Sequence, residues 1–371
     1  MSTMGQHILL VGGGHAQLET LRALPDIVDQ GHRVTLVSDS PHHYYSGMGP
    51  GMLGGMYDPE ELRFDVRRQA KVGGAEFKHD TLTRVDADKR TAIFESGASI
   101  QYDVASLCIG SVSNRPDLSA GNPNAYTVKP IVNLLRARND ILERLETKAE
   151  LRFVVVGGGP AGVEVTANLL NLVRQAGGAP LAKLICRGQM LSRFPERARR
   201  LARNSLEKRG TTILENTGVK NLNSHQILMS PSRQEPYDFA FIATGVVAPH
   251  VFTKSGLPTD ESGALCVNHK LQSVEYPELF GGGDCIAIEG EQLSKVGVHA
   301  VYEAPVLRHN LPASLADEPL KRYEPVKRYM LVMNMGDGTG IASKWGLTRD
   351  GRVAFIMKDR IDRKFMREYQ I

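Results

Sequence analysis

The feature that most constrains this 371-residue chain is a single pattern written twice. His7-Ile-Leu-Leu-Val11 runs into Gly12, Gly13 and Gly14 and then into a helix-compatible stretch over 16–28. Residues 151–156 run into Gly157-Gly158-Gly159-Pro160-Ala161-Gly162 and a second such stretch. Each copy continues through a second strand (33–37 and 181–185), a meander, and a closing strand that ends in glycine. Those closings are Asp103-Val-Ala-Ser-Leu-Cys108-Ile109-Gly110 and Asp238-Phe-Ala-Phe-Ile-Ala-Thr244-Gly245. A strand that stops at glycines and opens a helix begins a dinucleotide-binding βαβ unit. The first glycine permits the sharp turn, and the next lets a pyrophosphate approach the backbone. The helix N-terminus beyond offers unpaired N–H groups and partial positive charge. One copy alone is weak, because glycine turns also follow strands where nothing binds; an internal duplication is far more specific. The pattern predicts an α/β fold of two Rossmann-like domains, each with a β-meander, plus a short C-terminal segment.

The copies differ in detail. Gln17 stands where the first would have its third glycine, whereas the second is complete. After the strand 33–37 comes Ser38 and then Asp39, an acid one place later than the usual ribose partner.

Composition narrows the function classes. No run approaches the ~20 apolar residues that a bilayer requires, and the N-terminus lacks a basic stretch before an apolar signal core. Cys108, Cys186, Cys266 and Cys285 are scattered without CxxC spacing, which argues against a disulfide framework or structural zinc and points to a reducing cytoplasm. A net charge of +4 suits a binder of anionic cofactors and is not a nucleic-acid footprint.

Between the repeats, residues 41–57 are rich in glycine, proline, tyrosine and methionine. They read as a loop, either packed on a flat apolar ligand or serving as a buried connector. A helix is expected over 59–71, strands over 75–85 and 91–94, and helices over 131–145 and 195–208, the last stopped by Gly210. Residues 353–371 mix Phe355, Ile356, Ile361 and Phe365 with Lys358, Arg360, Arg363 and Lys364. Such a segment either rests on anionic lipid or docks its apolar face on its own protein.

With Tyr276-Pro277-Glu-Leu-Phe280-Gly-Gly-Gly-Asp284 and Lys295-Val-Gly-Val298-His299-Ala300 added to the two repeats, residues 7–310 resemble the two-domain pyridine-nucleotide:flavin oxidoreductases. Within that superfamily the chain is similar to the type II NADH dehydrogenase and sulfide:quinone oxidoreductase branch. It is closer still to flavin domains fused to selenophosphate synthetase, through Gly12 to Ala16, Tyr45-Ser-Gly-Met48, Val128-Lys129-Pro130 and Lys358 to Met366. The resemblance implies an FAD domain over 1–125 and 251–320, an NAD(P)H domain over 126–250 and a C-terminal segment over 321–371. It implies FAD contacts at Gly12, Gly14, His15, Ala16, Ser38, Asp39, Ser46, Val85, Gly110, Asp284 and Val298. Nicotinamide-nucleotide contacts are implied at Gly157, Gly159, Pro160, Ala161, Gly162, Arg187, Thr244 and Gly245.

The resemblance also frames the chemistry. Disulfide reductases of this fold carry two cysteines on the loop after the first βαβ unit, and here that loop holds Tyr45, Ser46 and Met48. Direct hydride transfer from the nicotinamide to FAD remains, with Glu164 beside the nicotinamide and Lys295 supporting reduced flavin; a helix acid and a surface lysine are the bland readings. Strand 181–185 ends in Cys186-Arg187 without an acid, so Arg187, with Arg193 or Arg197, would take a 2′-phosphate, favouring NADPH over NADH. A solvated helix face and a vestigial second site are the alternatives. The expected function is NAD(P)H dehydrogenation toward a quinone or similar diffusible acceptor, although Val301-Tyr302-Glu303 lacks the branch's quinone-site glutamine. The alternatives are a sulfide- or selenium-linked flavoprotein using Cys285, or a non-enzymatic flavin- or nucleotide-dependent binding protein. A cytoplasmic protein, peripheral on the inner face of the membrane through its C-terminus and a homodimer, completes the expectation.

Overall fold

The computed structural model describes residues 5–370. Two five-stranded parallel sheets carry the two repeats. The first has the order Leu279–Gly281, Val104–Leu107, His7–Val11, Arg33–Ser38, Glu76–His79. The second has the order Ala125–Thr127, Phe239–Ile242, Glu150–Val156, Ala179–Ile185, Thr212–Leu214. In both, the first strand lies between the second strand and the closing strand. Leu10 pairs with Leu36 in one sheet, and Val155 with Leu184 in the other. The central strand His7–Val11 and the closing strand Phe239–Ile242 are buried along their whole length, as parallel strands covered on both faces must be.

The sheets differ in their edge strand. In the second it precedes the repeat, at Ala125–Thr127, whereas the first takes Leu279–Gly281 from chain that has already passed through the second. Each repeat carries a three-stranded antiparallel meander, Leu82–Asp86 to Ser99–Gln101 in one and Val219–Leu222 to Arg233–Pro236 in the other. The two crossings lie side by side, Val112–Ser113 pairing antiparallel with Val246–Val247 just beyond Gly110 and Gly245.

Several local expectations are corrected. The strand expected over 75–85 breaks after His79, where the Asp80 carboxylate accepts the Thr81 N–H at 2.8 Å and the Ser96 hydroxyl at 2.5 Å. Glu76–His79 stays in the parallel sheet, and Leu82–Asp86 starts the meander. The helix expected over 59–71 is interrupted because Arg63–Asp65 pairs with His42–Tyr44; Asp65 then caps the helix Val66–Val72 by accepting the Arg68 N–H at 2.8 Å. In the 41–57 stretch a short helix spans Gly49–Leu53, and Met48, Met52 and Leu53 are buried in the protein core, so the connector reading holds for them.

The C-terminal segment adds an antiparallel sheet, Leu331–Asn334, Gly340–Lys344 and Leu347–Gly351, and the helix Arg352–Tyr369. Its tightest turn is Trp345-Gly346, both with positive φ, the backbone of a two-residue hairpin whose hand suits the strand twist. The helix docks one face. Phe365 and Tyr369 pack around Phe64, and the Tyr369 hydroxyl donates to Glu19 at 2.6 Å. Among the described residues no helix is long and apolar enough to cross a membrane.

Candidate functional site

The first glycine turn is compelled by what runs beneath it. Gly12 has φ +85°, and a Cβ there would sit 2.4 Å from the Cys108 carbonyl oxygen; one on Gly14 would sit 2.6 Å from the same atom. Any side chain would push the turn off the closing strand. Gln17, in place of a third glycine, is fully buried, donating its amide to the Ser106 carbonyl and accepting the Ser106 hydroxyl, each at 3.2 Å. Where a glycine would let helix and strand touch, a glutamine bridges them with two hydrogen bonds.

His15, which follows, is 9% exposed. Its Nδ1 lies 2.7 Å from His43 Nε2, and its own Nε2 is buried without a partner. Burial first, then the nearby Lys129 charge, pushes the His15 imidazole down to about 3. Ala16 is buried beside it, and its Cβ would lie 2.7 Å from a Cβ on Gly282. At the end of the second strand Ser38 is buried, whereas Asp39 is exposed and its carbonyl accepts from His79 Nε2 at 2.9 Å.

The return strand brings Asp284 to the same region. Its carboxylate accepts the Ser111 hydroxyl at 2.8 Å and lies 3.5 Å from Lys129 Nζ. Asp284, Lys295, Val296, His299 and Glu303 line a cleft of about 380 Å³ at the opening of the helix Gly297–Leu315. Val298 lies in that helix's first turn, and a Cβ on Gly297 would stand 3.6 Å from Ser46 Oγ. The Lys295 ammonium donates to the Ile286 carbonyl at 2.6 Å. Glu303 is 2% exposed and accepts the Gly283 N–H at 2.6 Å; burial pushes its carboxyl up to about 7.

The second turn has the same backbone logic and a more open surface. Gly157 has φ +126°, and a Cβ on it would lie 2.1 Å from the Ala243 carbonyl. A Cβ on Gly162 would lie 1.9 Å from the Gly157 carbonyl, the close helix–strand approach the complete motif serves. Gly159 faces open space, Pro160 begins the helix and Ala161 is exposed. Arg187 is exposed just beyond the strand Ala179–Ile185. The Thr244 hydroxyl donates to Asn114 Oδ1 at 2.6 Å, beside Gly245 at φ +112°.

Glu164 lies on the same helix as this turn, and the structure puts it past the first turn, so complementing the helix dipole is not its part. It accepts the Asn334 N–H at 2.8 Å, and burial pushes its carboxyl up to about 7 against the opposing Lys358 charge. Lys358 donates to the Gly47 carbonyl at 2.6 Å and pairs with Asp362, which accepts the Tyr45 hydroxyl at 3.0 Å. Lys358, Asp362 and Lys129 were missed as site residues. The i,i+4 spacing of Lys358 and Asp362 is a visible local signal, but nothing local ties it to Glu164.

Two expectations fail. Val85 is 1% exposed, its amide donates to Ser255 Oγ at 2.9 Å and it pairs with Ala92 in the meander, so its backbone and side chain serve packing. Cys285 is fully buried, with its thiol directed at the Leu107 and Gly282 carbonyls, and burial pushes it up to about 11, the opposite of an activated thiolate. All four cysteines are free thiols. Clearance at the first glycine turn, an unpartnered buried ring nitrogen beside it and a carboxylate on the return strand fit FAD; the open face at Gly159 fits a second nucleotide.

Comparison with known proteins agrees. The profile of the family described as pyridine nucleotide-disulphide oxidoreductase matches residues 6–305. Demethylphylloquinone reductase NdbB of Synechocystis sp. is 24% identical over 303 residues, 79% of this chain and 72% of that one. Type II NADH:quinone oxidoreductase of Haemophilus influenzae is 21% identical over 367 residues, 86% and 83% of the two chains. Sulfide:quinone oxidoreductase of Aquifex aeolicus superposes with a TM-score of 0.81 at 18% identity, covering 99% of this chain and 92% of that one. NDH2 of Plasmodium falciparum in complex with NADH gives 0.79 at 16% identity, covering 97% of each. At such identities the superpositions show a shared fold.

Proposed function

The chain belongs to the pyridine nucleotide-disulphide oxidoreductase family and is an oxidoreductase of FAD and NAD(P)H; from that premise we propose that it passes electrons from NAD(P)H through FAD to a quinone or similar diffusible acceptor without a redox disulfide. The observation that carries this reading is the Tyr45 loop. Where a disulfide reductase would hold its dithiol, Tyr45 is bonded to Asp362 and Gly47 to Lys358. Relatives named as quinone reductases support the same acceptor class.

Bound FAD supplies the two-electron carrier. The chain's own residues supply geometry and charge. The first glycine turn and Asp284 hold the flavin nucleotide, and the turn around Gly159 admits the nicotinamide nucleotide. Glu164, steadied by Asn334 and Lys358, borders the nicotinamide. The opening of the helix Gly297–Leu315, with Lys295 beside it, favours negative charge on reduced flavin. Arg187 takes a 2′-phosphate, which makes NADPH the preferred donor.

Anaerobic titration of the purified protein with each nucleotide, followed by steady-state oxidation with a soluble quinone, tests this. Flavin bleaching and quinone-dependent turnover are expected, faster with NADPH. Bound FAD that neither nucleotide reduces would overturn the reading.

The C-terminal helix supports a membrane contact. Val353, Ile356, Met357 and Ile361 are exposed near Arg352, Arg360 and Lys364, and the hairpin adds Trp345, 66% exposed, and Leu347. Apolar side chains among basic ones suit the surface of an anionic bilayer. Co-flotation with anionic but not neutral liposomes is expected, and failure to float with either would remove this contact.

A further inference from the structure

Turning a quinone into a quinol takes two electrons and two protons. NAD(P)H delivers the electrons with one proton, as hydride, so the other proton has to come through the protein. One buried acid of the first domain has no part in the reading above. Glu303 stands one turn after His299 on the helix Gly297–Leu315, and both line the cleft of about 380 Å³. It is 2% exposed, yet no cation forms a salt bridge with it among the described residues. One carboxyl oxygen accepts the Gly283 N–H at 2.6 Å, and the other makes no hydrogen bond among the described residues.

The cleft is bordered by Asp284 but by no residue of the first glycine turn. It therefore opens beside the flavin nucleotide's site and away from its pyrophosphate end. Val246, Ile286, Leu293 and Val296 give it apolar walls, while Lys295, His299 and Glu303 are polar. An apolar slot of this volume with a few polar groups suits a flat ring carrying oxygens on its edge.

We propose that this cleft receives the quinone ring and that the Glu303 carboxyl donates the second proton to it, a step that rests on the acceptor class inferred above. The O–H bond of Glu303 breaks and an O–H bond forms on a quinone oxygen. The hydride equivalent comes from NAD(P)H by way of FAD, and the carboxylate left behind regains a proton from solvent. The sum is NAD(P)H, one proton and quinone giving NAD(P)+ and quinol.

The surroundings keep the acid loaded. Asp284 faces it from the end of the return strand, Cys108 from the closing strand, Tyr323 from the segment after the helix, and Lys295 and His299 from the helix opening. The His299 ring is fixed by a 2.9 Å bond between Nδ1 and the Tyr323 hydroxyl, and burial lowers its affinity for a second proton. Burial, helped by the Asp284 charge, pushes the Glu303 carboxyl up to about 7 against the Gly283 amide and Lys295. Glu164 is buried too, but it sits on the helix of the second turn with Asn334 and Lys358, on the donor's side.

Glu303→Gln keeps an acceptor for the Gly283 N–H and removes the proton. In stopped-flow mixing of FAD-loaded, NADPH-reduced protein, reoxidation by a soluble quinone should slow ~100-fold, as for a lost general acid. Ferricyanide takes electrons without protons, so the ratio of the quinone rate to the ferricyanide rate should fall by the same factor. Glu303→Asp should recover part of the quinone rate. In the parent protein that rate should decline as pH rises past about 7, and Glu303→Gln should lack the decline. Equal slowing with ferricyanide, or a parental quinone rate in Glu303→Gln, overturns the proposal while leaving the acceptor class intact. A parent protein whose reduced flavin no quinone reoxidises overturns the proposal together with the reading beneath it. Should Glu303→Gln fail to fold, the parent's pH profile decides, and a quinone rate flat across that range overturns the proposal.

Discussion

The two glycine turns share a backbone and differ in how much protein stands around them. At the first, Gly12, His15 and Ala16 are buried, and the C-terminal helix closes the back through Phe365. At the second, Gly159 faces open space and Ala161 is exposed. Backbone geometry makes both turns able to receive a pyrophosphate; the enclosure separates a ligand that stays from one that exchanges every turnover. On the proposed function these are FAD and the nicotinamide nucleotide.

The sharpest break of that comparison is a side chain on each turn. Gly12→Val sets a Cβ against the Cys108 carbonyl at a φ that β-branched residues avoid, so the protein should be isolated without flavin, read as the loss of absorbance at 450 nm. A yellow, fully loaded variant would remove the first turn from the FAD site. A Cβ on Gly159 meets nothing within 4 Å, so in Gly159→Val flavin content should stay at the parental level while the KM for NAD(P)H rises ~10- to 100-fold. Equal loss of flavin from both variants would erase the contrast.

Next in size is the difference in the helix–strand contact. Gln17→Ala removes two buried hydrogen bonds to Ser106 and leaves that hydroxyl only its weak 3.7 Å contact with Cys108 Sγ, which should cost about 2 kcal/mol in urea unfolding. Glu303 in the first site's cleft and Glu164 on the helix of the second turn share the pH response, since burial pushes both carboxyls up to about 7. Glu303 binds its proton up to about 7 in the folded protein and loses it at ordinary carboxylate pH when unfolded. The folded state therefore holds more protons between roughly pH 4.5 and 7, and stability falls as pH rises through that window. Glu303→Gln should flatten this part of the melting-temperature profile measured by differential scanning calorimetry. The smallest effect is expected at the exposed second site, where Arg187→Ala should raise the NADPH KM ~3- to 10-fold and leave NADH nearly unchanged.

What could be read from sequence was what neighbouring residues decide together. Strands that stop at Gly12 and Gly157, closing strands that stop at Gly110 and Gly245, and the return strand before Asp284 are all contiguous patterns, and they gave the α/β fold of two parallel sheets. The contacts that shape the candidate site join residues far apart in the chain. Glu164 with Asn334, Tyr45 with Asp362 and Gln17 with Ser106 carry no periodicity that announces them. The failed local expectations have the same origin. Asp80 breaks with its side chain a stretch that reads as one strand, and Arg63–Asp65 leaves a helix to pair with His42–Tyr44.

The return of the chain from the second sheet to the first has a consequence for synthesis on the ribosome. The second sheet is assembled wholly from residues between 125 and 242, so all its strands have been made once that stretch has emerged. The first begins at His7, yet its edge waits for Leu279–Gly281 and the wall behind its turn waits for Phe365. The nascent protein therefore completes its later-encoded half first, and its earliest-made turn acquires its full lining last.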